Sequence, residues 1–364
     1  MENITEKDKN YFKTHFKELE EEEKIDHYER GKWKRNLLTL KRDWFLYIML
    51  IPLLLVYIYF HYRPMAGILL AFKKFEGSGD LATTFKAQWY GFYALDEIMF
   101  SGDSVRFWRA FRNTFTLSTY GLLFGFPIPI FLALMFNEIK NEAYRSLMQI
   151  LTYLPKFIST VVVTSLLLLM LSSGDNELVK PGILTQFLNL LGLAKDTTTP
   201  IMQNPAFFRS VFVTSGIWSD AGYGSIVYFA AIMAIDPTKY EAAKIDGASK
   251  LDQIRHVTLP GMAPTLIIMI ILRIGGILSV GYEKVLLMVQ TSGEYVLETA
   301  EVISLYVLRM GGLISVNTGG AQNLDPTTAR GIAVASDLFN AVIAMALVLG
   351  ANFISRRVSE TSLF

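Results

Sequence analysis

The chain has no cysteine among its 364 residues, which excludes thiolate catalysis, cysteine-ligated zinc and disulfides together. Histidine is scarce as well: His15, His27, His61 and His256 all fall outside or at the edges of the long apolar segments. A membrane-embedded enzyme would need a nucleophile, base or metal ligands gathered inside those segments, and no paired carboxylates share one helix there. A charge excess is missing too. The formal net charge of +1 leaves nucleic acid without an electrostatic footprint. No Gly-x-x-x-x-Gly-Lys-Ser/Thr phosphate loop occurs, so any ATP hydrolysis has to come from a partner chain. The first forty residues are charged throughout, and no cleavable signal peptide is expected there.

What the chain has in abundance is apolar length. Hydrophobic residues make up 52% of it and are clustered rather than periodic, the pattern of a polytopic membrane protein. The expected fold class is all-α, with six membrane spans: Trp44 to Phe60, Phe115 to Phe136, Leu147 to Ser172, Ser210 to Ile235, Met262 to Val280 and Ile332 to Ile354. The first is near the lower limit of about 17 residues for crossing a hydrocarbon core. Pro127 and Pro129 fall inside the second span, and Pro155 and Lys156 in the first turns of the third.

Basic residues set the orientation. Arg30, Lys32, Lys34, Arg35, Lys41 and Arg42 crowd the segment before the first span. Taking that end as cytoplasmic puts both termini inside, together with the loop from Asp236 to Gly261. The basic residues on the two sides are nearly equal in number, but those inside occupy much shorter segments. The expected organisation is a cytoplasmic extension at 1–43, a first span with its extracellular segment at 44–112, a core membrane domain at 113–355 and a tail at 356–364. The extension carries an acidic run from Glu18 to Glu23. It reads as a solvated helix ending in a surface anchor on the membrane lipid, with Trp33 and Trp44 at the headgroups; a partner-binding tail is the competing reading.

The loop from Asp236 to Gly261 carries its own folding instructions. Asp236 before Pro237 is an N-cap followed by proline at the first helical position. Gly247 can take the positive φ that ends a helix. Ser249 and Asp252 are spaced as a capping box. A second short helix is expected to end near Val257, with Thr258 and Pro260 starting the next span. Ala242, Ala243 and Ala248 keep one side low enough for another protein to approach, and Glu241 and Asp246 supply charge at the rim.

Glu241-Ala242-Ala243, Gly247, then Val257, Leu259 and Pro260 resemble, at the expected spacing, the EAA motif of binding-protein-dependent ABC importers. Ile254 and Val257 stand where the common pattern often has an aromatic residue and isoleucine. The likeness extends from Asn113 to the C-terminus and resembles the carbohydrate-importer branch. Tyr223 to Tyr228, Gly281 to Met288 and the tail Ser359 to Phe364 are similar to its oligosaccharide-type permeases. The resemblance implies a type I permease fold in a bacterial cell membrane. It also implies a second homologous permease, an ATPase dimer that binds ATP and magnesium, and an extracellular binding protein delivering an oligosaccharide. Glu241, Ala242, Ala243, Asp246, Gly247, Ala248, Leu259 and Pro260 would then couple the chain to the ATPase.

Within the spans, Asp220, Arg273 and Asp337 are costly groups that normally face a partner or a water-filled cavity. Arg273 is expected to pair with Asp220 or Asp337, as a structural ion pair or a state switch, or to meet an anionic sugar. An ion-coupled secondary transporter using these three groups is the alternative from another class, although no interrupted helices in corresponding halves point to it. Trp218, Tyr223 and Tyr282 are candidates for the sugar path, since aromatic faces suit sugar C–H groups. Long extracellular segments are expected at His61 to Asn113, Gly174 to Arg209 and Gly281 to Arg330. The apolar stretch Val296 to Met310 is expected to lie on the membrane or re-enter beside the binding protein.

Overall fold

The computed structural model describes residues 39, 41–74, 81–101, 104–174, 180–193, 201–292, 296–313 and 326–358. The acidic run at 18–23, Trp33, most of the basic cluster and the tail at 359–364 lie outside them. The chain forms two compact units, Met1–Ala66 and Gly67–Phe364. Among the described residues there is no β-strand, only an isolated bridge between Lys73 and Trp89.

In the first unit, α1 (Trp44–Tyr57) passes into a π-helical stretch at Ile58–Tyr62. None of its side chains is buried within the chain. That uniform exposure is expected of a span whose surroundings are lipid or another subunit, because an apolar helix does not stand in water. Tyr57 and His61 stack at 4.6 Å and the Arg63 guanidinium covers the Tyr59 ring at 4.9 Å.

In the second unit a short helix at Leu81–Lys86 precedes α2 (Tyr93–Phe100), which is followed by α3 (Ser104–Gly125) and α4 (Pro127–Glu138). Together, α3 and α4 make one span from Ser104 to Glu138. Pro127 is tolerated because it sits at the first position of its helix, where a missing N–H costs nothing. The helix begins well before the expected Phe115: its polar first turns carry Arg106, Arg109 and Arg112 and extend beyond the stretch that apolarity marks.

The third expected span is broken. Helix α5 (Glu142–Tyr153) runs through a 3₁₀ turn at Leu154–Phe157 and meets α6 (Thr160–Met170) at a 95° bend. Pro155 removes a backbone donor, Ile158 is extended, and Ser159 starts a fresh helix by accepting from the Val161 N–H. After a short helix at Ile183–Leu190 comes α7 (Pro205–Met233), whose cap Asn204 accepts from the Ala206 N–H at 3.0 Å. It packs so closely on α5 that a Cβ at Gly222 would stand 2.0 Å from the Thr152 carbonyl oxygen. Only glycine fits there, the small-residue contact that membrane helices use.

Helices α8 (Pro237–Ile245) and α9 (Lys250–Gln253) form the hairpin, and α10 (Ala263–Gly275) follows it. Then come α11 (Tyr282–Ser292), α12 (Leu297–Ala300), α13 (Ile303–Met310) and the long α14 (Pro326–Val358). Among the described residues, three single helices are long and apolar enough to cross a membrane, or up to five spans if each of two bent pairs counts as one. The expected fourth span lies in α7, which is long enough but interrupted by Trp218, Asp220 and several glycines, and falls outside that apolarity test.

Three apolar clusters hold the second unit. Leu117, Phe208, Val285, Met288, Val302 and Leu305 form one. Ile98, Phe107, Ala110, Ile303, Tyr306 and Ile332 form another. Ala133, Tyr228, Ile232 and Met262 close the end nearest the hairpin. Val296 to Met310 does not lie on a surface, as expected from its pattern: Val296, Ala300, Val302, Ile303, Leu305 and Tyr306 are all buried, shared between the first two clusters.

Candidate functional site: a docking hairpin and a charged face

The hairpin is held by local bonds that follow from its residue order. The Asp236 carboxylate accepts from the Thr238 N–H at 2.9 Å. That backbone bond holds the Asp236 carboxyl below its ordinary pKa. At the other end of α8, Ala248 N–H donates to the Ala243 carbonyl at 2.9 Å and Gly247 N–H to the Lys244 carbonyl at 3.1 Å, with Gly247 at φ +77°. This is the paired closure that glycine makes possible. The Ser249–Asp252 capping box is complete, at 3.1 Å and 3.3 Å.

One expectation about the hairpin is corrected. Thr258 does not cap a new span. Lys250 through Gly261 is one helix with a π-helical stretch at Ile254–Thr258, and the 64° break comes after it, at Met262. Pro260 has no N–H to offer the turn before it, which favours the wider stretch over a clean α-helix. The Thr258 hydroxyl donates back to the Gln253 carbonyl at 3.3 Å and meets the Tyr240 hydroxyl at 3.1 Å, tying α8 to the second arm.

The hairpin is also anchored to the spans. The Ile235 side chain fills the space beside Gly261, and Lys250 reaches Glu138 at the end of α4 at 2.8 Å. Leu259 is half-buried against the third cluster. Facing outward are Glu241, Ala242, Asp246, Gly247 and Pro260, with Ala243 and Ala248 half-buried beside them. Nothing in the sequence pattern sets Ile245 and Leu251 apart. They stand 87% and 74% exposed at the hairpin tip, two large apolar side chains on an otherwise polar element.

The charges inside the spans pair differently from expectation. Asp220 meets neither Arg273 nor Asp337; its partner is Lys156, at 2.7 Å. Lys156 reaches it because its segment packs along α7, where the Thr152 backbone lies against Gly222. Among the described residues, Arg273 and Asp337 have no ion-pair partner. Arg273 is half-buried beside Gly125, while Asp337 is exposed on α14. Trp218, Tyr223 and Tyr282 are all exposed, and Tyr223 meets the Phe157 ring edge-on at 6.1 Å.

A second polar centre had no signal in the sequence. Glu301, only 1% exposed, receives Arg109 Nη2 at 2.8 Å and Arg309 Nη1 at 2.5 Å. Around it, Asn113 Nδ2 donates to the Glu298 and Glu301 carbonyls at 2.9 and 3.2 Å, and Asn113 Oδ1 accepts from Arg209 Nη2 at 3.1 Å. The Thr114 hydroxyl oxygen accepts from the Ile303 N–H at 2.9 Å. These contacts fasten α3, α7 and the α12–α13 segment together.

Residues 125–359 match the model of the family described as binding-protein-dependent transport system inner membrane component. The chain is 34% identical over 334 residues to Protein LplB of Bacillus subtilis (strain 168), covering 92% of this chain and 95% of that protein. It is 31% identical over 340 residues to the polygalacturonan/rhamnogalacturonan transport system permease protein YteP of the same organism, covering 93% and 95%. Among solved structures it is similar to a chain of a bacterial ABC transporter that imports the acidic polysaccharide alginate. That likeness has a TM-score of 0.73 at 39% identity, over 89% of this chain and 99% of that one. The same holds for the alginate transporter in complex with its pentasaccharide-bound periplasmic protein, with a TM-score of 0.71 at 37% identity, over 92% and 100%. The chain belongs to the family of binding-protein-dependent inner-membrane transport components, and is a permease subunit of the ABC importer type.

Proposed function

We propose that the chain pairs with a second, homologous permease to form the path for an oligosaccharide handed over by an extracellular binding protein. The power comes from a separate ATPase dimer that binds ATP and magnesium. The hairpin and both termini face the cytoplasm, the face on which such an ATPase sits. The supporting observation is the hairpin itself. It is a rigid, doubly capped element that carries Ile245 and Leu251 uncovered at its tip and is tied by Lys250–Glu138 to α4. Exposed apolar side chains rimmed by polar ones mark a protein contact. Glu241, Ala242, Ala243, Asp246, Gly247 and Ala248 line the same element, and Leu259 and Pro260 carry its movement into α10. Closure of the ATPase pair would shift the hairpin as a body, and the attached spans would rock between inward- and outward-facing arrangements. The carbohydrate substrate is supported by the names of the relatives, a galacturonan-type permease and an alginate importer among them.

Affinity purification of the tagged chain in detergent, with mass spectrometry of what co-elutes, tests this reading. An ATPase, a second permease and a binding protein are expected together. A lone chain that transports in liposomes on an ion gradient would overturn it.

A further inference from the structure

We propose that Lys156 and Lys284, along the α7 face that carries Asp220, form a binding site for the carboxylate of an acidic sugar unit on its way through the permease. The proposal rests on the transport reading above and assigns residues and a ligand chemistry to its path. Asp220 lies midway along α7 and is 54% exposed; its partner Lys156 is 46% exposed. A charged pair this open, at this depth, cannot front hydrocarbon, so the face it occupies is lined by water or a partner subunit.

The pair is also unbalanced. The Lys284 ammonium lies over the Phe212 ring at 4.6 Å, donates to the Phe212 carbonyl at 2.9 Å and stands beside Gly216, where a Cβ would lie 3.6 Å from it, one helical turn before Asp220. Two ammonium groups, one from the bend before α6 and one from α11, therefore stand along one face of α7 with the carboxylate of Asp220. An ion pair this exposed contributes little to stability. Beside it stands a further ammonium, and each ammonium carries three donors.

Aromatic rings stand beside the pair. Tyr223, three residues after Asp220 and so on the same face of α7, meets Phe157 next to Lys156, and both rings are exposed. Rings with open faces accept the C–H side of a sugar, and surplus ammonium groups accept a carboxylate through charge-assisted hydrogen bonds. The combination fits a uronate better than a neutral hexose, which would call for carboxylate or amide acceptors for its hydroxyls rather than a spare cation. Arg273, the expected contact for an anionic sugar, lies against Gly125 instead.

The test uses the importer reconstituted with its co-purified partners in proteoliposomes. The probes are labelled trigalacturonate and its carboxyl-reduced, neutral counterpart, with the binding protein supplied to each. The wild-type importer is expected to take up the acidic trisaccharide in preference to the neutral one. Lys284→Gln and Lys156→Gln are each expected to lower acidic uptake by about tenfold, the order of one charge-assisted hydrogen bond. Lys284→Arg, which keeps the charge, should recover most of it. Co-elution of each variant with the partners checks assembly, and the arginine variant separates loss of charge from loss of fold. Acidic uptake unchanged in both glutamine variants, or equal wild-type uptake of the two sugars, overturns the site while leaving the transport reading standing. Absence of any ATP-dependent sugar uptake by the wild type overturns both.

Discussion

Ala243→Trp is expected to cut substrate uptake at least about tenfold while the assembled transporter goes on hydrolysing ATP. Ala243 is half-buried on α8 and its carbonyl accepts the Ala248 N–H that closes the helix. An indole there keeps the backbone bonds but raises the low side of the hairpin. Overpacking a fitted surface costs about 1–3 kcal/mol, and each 1.4 kcal/mol is about tenfold in an equilibrium. The ATPase would seat in a shifted register and its stroke would no longer reach α10. Glu241→Ala, which removes a rim charge, should act in the same direction more weakly. Uptake and hydrolysis measured on the same proteoliposomes check this. A wild-type ratio of the two in Ala243→Trp would contradict it.

The second large effect concerns the fold rather than the stroke. Glu301→Ala leaves the guanidinium groups of Arg309, buried, and Arg109, partly buried, without their shared carboxylate. Removing one member of a buried pair typically costs about 3–5 kcal/mol, because the remaining charge is stranded out of water. The α12–α13 segment would loosen from α3, since Asn113 and Thr114 bond to the backbone on both sides of Glu301. Detergent-solubilised Glu301→Ala is therefore expected to melt well below the wild type. Glu301→Leu combined with Arg309→Met, which removes charge on both sides, should recover part of the loss. If Glu301→Ala melts with the wild type, the centre is not structural.

Much of this was legible in the residues because the decisive signals were local. Asp236 before Pro237, Ser249 three residues before Asp252, and Gly247 after the last turn each fix a bond or a φ within a few positions, and the structure has all three. The apolar runs were legible for a different reason: lipid leaves a span no choice but continuous apolarity. What stayed hidden depended on distant partners. Lys156 looked like one more residue in the first turns of a span, and only the packing of its segment on α7 brings its ammonium to Asp220. The polar first turns of α3 read as loop, since helices that run past the bilayer lose the apolar signal. Val296 to Met310 had a helical apolar pattern, but such a pattern says that a face is covered and not by what. Glu301 carried no signal at all, because its two arginines come from 192 residues upstream and 8 downstream.

The central claim is that the hairpin tip is the ATPase dock. The chain's lack of cysteine makes a direct measurement possible, since any introduced thiol is the only one in this subunit. Ile245→Cys and Leu251→Cys, each treated with a short thiol-to-amine crosslinker in the assembled transporter, are expected to join to the ATPase subunit, with a yield that changes on adding MgATP. Crosslinks to the binding protein instead, or none to an ATPase that co-elutes in full amount, would contradict the account.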